Sequence, residues 1–210
     1  MKIFFEQELD AVLPADLPNR EAVVTGGAAH LELIGEANRH FNLTRITSPR
    51  EAAIKHVLDS VLPWRLFEGS KHVLDAGTGA GFPGIPLALV LPHVRFTLAD
   101  SIQKKARFVD SAVAALGIQN ATVAPRRAEE LTADVITARA MAPLSKALDL
   151  FAPALKHGAK LFLYKGPDAG REIDEAAVAA RKLRVEMEIV MTYDLPEGAG
   201  TRTLVKVGRT

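Results

Sequence analysis

The chain has 210 residues, 48% hydrophobic and 24% charged, with 26 basic and 25 acidic side chains and a net charge of +1. That length suits one α/β domain with a small extra lobe, and the composition excludes a disordered or fibrous chain. The absence of cysteine excludes a disulfide scaffold, a thiolate metal site, a catalytic thiol and an iron–sulfur cluster, while the longest apolar run, 85–91, is far shorter than the roughly 20 residues that cross a bilayer.

At the N-terminus Ile3, Phe4 and Phe5 are followed at once by Glu6 and Glu8, so no secretory leader is expected and the cytoplasm is the expected compartment. Up to residue 69 the pattern is helical. Leu31, Ile34 and Ala37 recur at three-residue steps and predict a helix over 30–37. Ser48, Pro49 and Glu51 form a Ser-x-x-Glu start with proline in the first turn, and Ile54, Val57, Leu58, Val61 and Leu62 make the apolar stripe of a second helix. A connector over 64–70 ends this lobe.

From residue 71 strands and helices alternate. Strands are predicted over 71–75, 94–99, 121–124, 134–138 and 160–164, with helices over 85–91, 102–116, 144–155 and 172–183. Gly117 closes the second of these helices. Parallel neighbours need crossover helices, so the repetition predicts a doubly wound, mostly parallel sheet. Two runs, 186–193 and 202–207, flank a Pro/Gly turn and predict a terminal antiparallel hairpin. The expected division is a helical lobe over 1–69 and a sheet domain over 70–210.

Charge is segregated along the chain. Residues 1–36 carry seven acidic and two basic side chains, net −5; residues 37–56 are net +3 and residues 101–127 net +4. The bland account is solvated helix faces; the functional one is local basic patches for nucleic acid.

The first strand runs into Asp75-Ala76-Gly77-Thr78-Gly79-Ala80-Gly81-Phe82-Pro83-Gly84. Glycines allow a tight turn and close approach of a ligand at the carboxyl end of a strand. Residues 79–84 formally fit the dinucleotide fingerprint G-x-G-x-x-G. A pyrophosphate, however, wants free N–H donors, and here stand an acid before the glycines and prolines at positions 83 and 86. A ligand bearing ammonium and sulfonium groups suits that acid better, which favours S-adenosylmethionine. Asp100, at the end of the second strand, can accept ribose hydroxyls for either cofactor or simply cap the next helix with Ser101. Loop, acid and antiparallel hairpin together predict a class I S-adenosylmethionine-dependent methyltransferase core, Rossmann-like with an N-terminal helical lobe.

Several further motifs resemble the RsmG (GidB) family of bacterial 16S ribosomal RNA guanine-N7 methyltransferases. They are Phe41-Asn42-Leu43-Thr44, His56-Val57-Leu58-Asp59-Ser60, the tail Pro83-Gly84-Ile85-Pro86, Asp100-Ser101 with Lys104-Lys105-x-Arg107-Phe108, Ala128-Glu129-Glu130, Arg139-Ala140-x-Ala142-Pro143-Leu144 and Lys165-Gly166. The chain lacks the tryptophan the family often has near Ala37 and Asn38, and Arg126 stands where glycine or serine is common.

The resemblance implies a cofactor pocket lined by Gly77 and Phe82 within the Asp75–Gly77–Gly79–Gly81 loop, Asp100 on the ribose, Ala128 and Glu129 beside the adenine, and Arg139 at its border. It implies RNA contacts from Arg39, Arg45, Lys104, Lys105, Arg126, Arg127 and Lys165, with 16S RNA, the small subunit or an assembly intermediate as partner. No general base, metal or membrane is expected, because guanine N7 exposes a lone pair and takes a methyl group without losing a proton. A monomer is the expected state. His56, Asp59 and Ser60, three and four residues apart, are expected to share a helix face and bond locally. Rival readings are a non-catalytic RNA or ribosome-assembly module on this fold, an NAD-dependent reductase, and a methyltransferase for another substrate.

Overall fold

A computed structural model of the chain describes residues 2–140 and 142–209. The sheet has seven strands in the order β3-β2-β1-β4-β5-β7-β6. They are β1 His72–Ala76, β2 Arg95–Ala99, β3 Ala121–Ala124, β4 Val135–Arg139, β5 Lys160–Lys165, β6 Glu186–Leu195 and β7 Gly200–Gly208. The first five pair in parallel; β7 lies antiparallel to β5 and β6 antiparallel to β7, as the predicted hairpin requires. The chain moves outward from β1 to β3, then returns to the other side of β1 at β4. Loops diverge at that reversal, and the crevice they leave lies beyond the carboxyl ends of β1 and β4.

Alternation along the strands divides the core. Val73, Phe96, Leu98, Phe162 and Leu204 face a cluster that includes Ile85 and Leu87 of α5 (Gly84–Val90) and Val109 of α6 (Gln103–Ala115). Leu74, Ile136, Leu161, Leu163 and Val205 face the opposite cluster, with Leu144 and Leu148 of α7 (Leu144–Leu150), Leu155 of α8 (Ala152–Lys156) and Ala176 and Ala180 of α9 (Ala169–Leu183). Gly117 takes a left-handed φ of 65° after α6, and Ile118 N–H returns to the Val113 carbonyl, the two marks of a glycine C-terminal cap.

The N-terminal lobe is larger in helix than its sequence suggested. A helix α1 (Lys2–Val12) was not predicted, although Phe5 and Leu9, one turn apart, are its buried face. Helix α2 (Arg20–Asn38) starts ten residues before the predicted one, because Val23, Gly27 and Ala28 continue the buried stripe of Leu31 and Ile34. A Cβ at Gly27 would stand 3.2 Å from Leu9, and one at Gly26 2.9 Å from Leu89 of α5, so small residues set how closely α2 packs on both neighbours. Lobe and sheet domain share one buried cluster through Val57, Val61, Trp64 and Phe67.

The second predicted lobe helix begins as expected: Ser48 Oγ accepts from Glu51 N–H at 3.3 Å, and Pro49 occupies the first turn of α3 (Pro49–Ala52). It then widens into one π turn over Ala53–Leu58, where Asp59 N–H bonds back five residues to the Ile54 carbonyl, before α4 (Asp59–Val61). Among the described residues no helix is long and apolar enough to cross a membrane.

Candidate functional site

The glycine loop is folded by the ends of two strands. Gly77 and Thr78 N–H both donate to the Ala99 carbonyl, at 2.9 and 3.0 Å, and Gly79 N–H donates to Asp100 Oδ2 at 3.0 Å. Gly77, Gly79 and Gly81 have φ of 70°, 62° and 98°, values that favour glycine. A Cβ on Gly79 would meet only the Gly77 carbonyl at 3.8 Å and otherwise open space, so the loop presents bare backbone on one side.

Asp100 Oδ1 accepts from Ile102 N–H at 2.8 Å. Each carboxylate oxygen thus has one protein donor, and an ionised carboxylate has roughly four acceptor sites. Asp100 therefore both shapes the loop and retains capacity for a further donor, such as a ribose hydroxyl.

Asp75 has a different geometry. Its carboxylate is completely buried, and Oδ2 accepts from Thr78 Oγ1 at 2.6 Å and Gly84 N–H at 2.8 Å. Burial pushes its pKa up to about 6 against the opposing pull of those two bonds. Oδ1 has no protein partner. Gly84 leaves no room for a side chain, since a Cβ there would run into Leu98 and stand 2.7 Å from Asp75 Oδ2. The acid expected to greet a cationic ligand is thus tied into the far end of its own loop.

Phe82 is buried against the N-terminal helical lobe. The His56 ring lies parallel to it at 4.6 Å, the His30 ring tilted at 4.8 Å, and the Arg139 guanidinium sits 5.3 Å from its centre. Burial lowers the His56 pKa to about 3, with Arg139 adding to the effect, and burial lowers His30 to about 4. Both imidazoles are neutral at physiological pH and poor bases.

Arg139 leaves the end of β4 and reaches into the lobe. Its guanidinium donates to the Lys55 carbonyl at 2.9 Å and to Asp59 Oδ2 at 3.2 Å. Arg202 of β7 reaches the same Asp59 oxygen at 3.3 Å, and the Tyr193 hydroxyl donates to Asp59 Oδ1 at 3.0 Å. Ser60 does bond locally, to the His56 carbonyl, but His56 itself turns to Thr44 Oγ1 at 2.9 Å and Asp59 turns to the sheet. The expected local bonding therefore holds for Ser60 and His56 only, while Asp59 bonds side chains of the sheet strands. Ala140, next to Arg139, has a left-handed φ of 53° without being glycine, a strained conformation where β4 turns away.

His56, Asp59, Arg139, Ala140 and Arg202 border a cleft of about 370 Å³ that Lys55, Tyr164 and Lys165 also line. Its lining holds four cations, Lys55, Arg139, Lys165 and Arg202, against one carboxylate, Asp59; with Lys55 also paired to Glu51 and Lys165 to Glu172, one positive charge is left over, which suits an anion. Lys55, His30, Tyr193 and Arg202 were not selected from sequence. Only tertiary pairing brings them to the site, and each looks ordinary within its own element.

The remaining candidates lie around the same end of the sheet or away from it. Arg39, Arg45, Lys104, Arg126 and Arg127 are exposed, and Lys105 is half-buried. Gln103 bonds the Pro125 carbonyl at 3.2 Å, which draws the start of α6 toward the Arg126–Arg127 segment. Lys104 lies 4.1 Å from the ring of Phe41, which draws it toward the lobe segment that carries Arg39 and Arg45. Lys165 is no surface residue: its side chain is 8% exposed, and its ammonium is held by Glu172 at 2.7 Å and the Ala142 carbonyl at 2.9 Å. Ala128 is buried with Ala76, Ala99 and Ala138 at the carboxyl ends of the strands. Glu129 pairs with Arg127 at 3.5 Å and also borders a second cleft, with His72 and Arg95 at the opposite strand ends.

Comparison with known proteins agrees with this geometry. A family model described as GidB, rRNA small subunit methyltransferase G, matches residues 28–199. A protein of Solibacter usitatus named ribosomal RNA small subunit methyltransferase G is 60% identical over 97% of this chain and 99% of its own. A namesake from Carboxydothermus hydrogenoformans is 38% identical over 84% of this chain and 79% of its own. Among solved structures, an O-methyltransferase from Bacillus cereus in complex with SAH superposes with a TM-score of 0.58 at 18% identity, covering 86% of this chain and 91% of that one. The O-methyltransferase TomG from Streptomyces achromogenes, in complex with SAM, gives 0.55 at 20% identity, covering 85% and 89%. At those identities the likeness is one of fold, and the fold is that of class I methyltransferases.

Proposed function

We propose how the site works from the premise that this chain belongs to the GidB family, rRNA small subunit methyltransferase G. It is a methyltransferase that uses S-adenosylmethionine to modify small-subunit ribosomal RNA. The atom we assign is guanine N7, and we take the enzyme to act as a cytoplasmic monomer on 16S RNA within the small subunit or an assembly intermediate. The observation that carries the reading is the pairing of an open glycine loop with Asp100, beside a cationic cleft at the same end of the sheet.

The residues fit this cofactor. Gly77, Gly79 and Gly81 supply the left-handed turns, Gly79 leaves the loop's open face without a side chain, and Asp100 has acceptor capacity left for ribose hydroxyls. Phe82 and Arg139 border the space, with Ala128 and Glu129 assigned to the adenine side. Asp75 contributes from beneath, by fixing Thr78 and Gly84, and its free Oδ1 adds negative potential under the loop. When bound, S-adenosylmethionine supplies a methyl group on a positively charged sulfur.

The chain's own task is alignment. N7 gives up no proton, so the site needs no base, and the low basicity of His56 accords with that. Orientation of the reacting atoms is a sufficient source of acceleration for such a step. In A-form RNA, N7 lies in a groove too deep and narrow for side chains, so the guanine enters the cleft from a loop or by extrusion. Arg202, Lys55 and the tethered Lys165 hold the nucleotide there. Arg39, Arg45, Lys104, Lys105, Arg126 and Arg127 grip flanking phosphates. With lobe (1–69) and sheet domain (70–210) each contributing residues, the nucleotide sits where the two meet.

Titration calorimetry with S-adenosylmethionine and, separately, with NAD tests the cofactor. Saturable binding of S-adenosylmethionine alone is expected; binding of NAD alone, or of neither, would overturn the reading.

A further inference from the structure

The glycine loop is gripped from outside the sheet domain, by a side chain that no motif singled out. His30, in the middle of α2, is completely buried, and its Nε2 lies 2.8 Å from the Ala80 carbonyl oxygen. A carbonyl only accepts, so Nε2 carries the hydrogen and Nδ1 is the bare nitrogen. Nδ1 is indeed buried without a partner, as this tautomer leaves it. The same ring lies against Phe82, and a Cβ added to Gly81 would stand 3.0 Å from His30 Cε1. One imidazole therefore touches three successive residues, Ala80, Gly81 and Phe82, in the half of the loop that the strand ends do not reach. Asp100 and Ala99 fix Gly77 to Gly79; in the next turn the Thr78 carbonyl takes the Gly81 and Phe82 N–H groups, and His30 takes the Ala80 carbonyl.

We propose that His30 is a positioning residue for cofactor binding, holding Ala80–Phe82 in the conformation that accepts the nucleoside and sulfonium parts of S-adenosylmethionine. The inference rests on the assignment of this loop to the cofactor. It makes the N-terminal lobe part of the cofactor site as well as of the RNA site. Without the Nε2–H donor the Ala80 carbonyl is buried unpaired, and the loop relaxes to satisfy it. Because the ring touches neither cleft nor RNA-facing residues by hydrogen bond, its effect falls on cofactor affinity and leaves turnover at saturation alone.

Two substitutions separate packing from hydrogen bonding. His30→Phe keeps a flat ring against Phe82 and removes the donor; His30→Gln places an amide N–H near the position of Nε2. S-adenosylhomocysteine is titrated calorimetrically into the full-length protein and both variants. Methyl transfer to small subunits is then measured with S-adenosylmethionine varied. We expect His30→Phe to raise the dissociation constant and the KM for the cofactor about five- to tenfold, the range of one lost hydrogen bond. Its kcat stays within twofold, and His30→Gln recovers most of the affinity. Failure of the wild type to bind S-adenosylhomocysteine would instead remove the cofactor assignment. With wild-type binding intact, three results would overturn the clamp: unchanged affinity in His30→Phe, a loss confined to kcat, or His30→Gln no better than His30→Phe. Failure of both variants to fold would likewise overturn it, by making His30 a requirement of the fold.

Discussion

Asp59 is 2% exposed, yet it serves as counter-ion to two arginines from different strands. Arg139 and Arg202 share its Oδ2, and Tyr193 donates to Oδ1, so the lobe's carboxylate joins β4, β6 and β7. Removing it leaves two guanidinium groups in a partly buried cleft with nothing to balance them. Asp59→Ala should therefore destabilise the fold by about 3–5 kcal/mol in urea denaturation, the range for breaking a buried ion pair. A loss under about 1 kcal/mol would show that the arginines find other partners. Asp100 differs in kind, because its oxygens hold backbone N–H groups and face the loop. Asp100→Ala should weaken S-adenosylmethionine binding at least tenfold in calorimetry while lowering stability less than Asp59→Ala; equal affinity would exclude Asp100 from the site. Asp75, Asp100 and Arg139 stand out in the sequence as strand-end charges, but the direction in which each side chain turns does not. An acid at a strand end has two faces to choose from, and only the fold reveals that Asp75 turns inward to Thr78 and Gly84.

Elements were legible where local chemistry fixes them. Ser48 and Pro49 mark the start of α3, Gly117 the end of α6, and the Pro/Gly turn the terminal hairpin. Ser48→Ala should cost about 1 kcal/mol of stability, as N-cap removals do, in the same denaturation assay. No measurable loss would mean that Pro49 and the packing of Ala52 define the start without the cap. The π turn over Ala53–Leu58 was not legible, since Ile54, Val57, Leu58 and Val61 read as an unbroken stripe. Within it the Lys55 carbonyl accepts from Arg139, a contact from far along the chain that no local pattern announces. π turns are frequent at functional sites, and here His56 of the turn stacks on Phe82 while Asp59, which follows it, meets the arginines.

For the whole molecule, the net charge of +1 conceals an ordered distribution. Part of the acidic N-terminus is neutralised within the fold, as Glu8 meets Arg50, Asp10 meets Arg20 and Asp16 meets Arg65. After β2 and β3, by contrast, Lys104, Arg126 and Arg127 are exposed, and they are the cations assigned above to RNA phosphates. Replacing Lys104, Arg126 and Arg127 together by glutamate should lower kcat/KM for small subunits at least tenfold and leave cofactor affinity unchanged; unaltered kcat/KM would remove that rim from the RNA interface.

Buried histidines also tie stability to pH. His30 and His56 take up protons near pH 6.5 when unfolded but only near 4 and 3 when folded, so stability falls as pH drops below 6.5. Asp75 acts in the opposite sense, because its folded pKa of about 6 exceeds its ordinary 3.8, and the stability it contributes is lost as pH rises through 6. Two histidines outweigh one carboxyl. The unfolding free energy should fall by on the order of 1 kcal/mol per pH unit from 6.5 to 5. A flat profile in urea denaturation at those pH values would contradict it.

Transfer of a methyl group from S-adenosylmethionine to guanine N7 of small-subunit ribosomal RNA, the reaction proposed above, can be read out on the RNA itself. The direct measurement incubates the protein with methyl-labelled S-adenosylmethionine and small subunits, or their 16S RNA, from a strain lacking the modification. The product is then mapped by chemical cleavage at 7-methylguanine. Label is expected at a single guanine, cleavable at that position. Label absent from every ribosomal fragment, or present on an atom other than N7, would contradict the proposal.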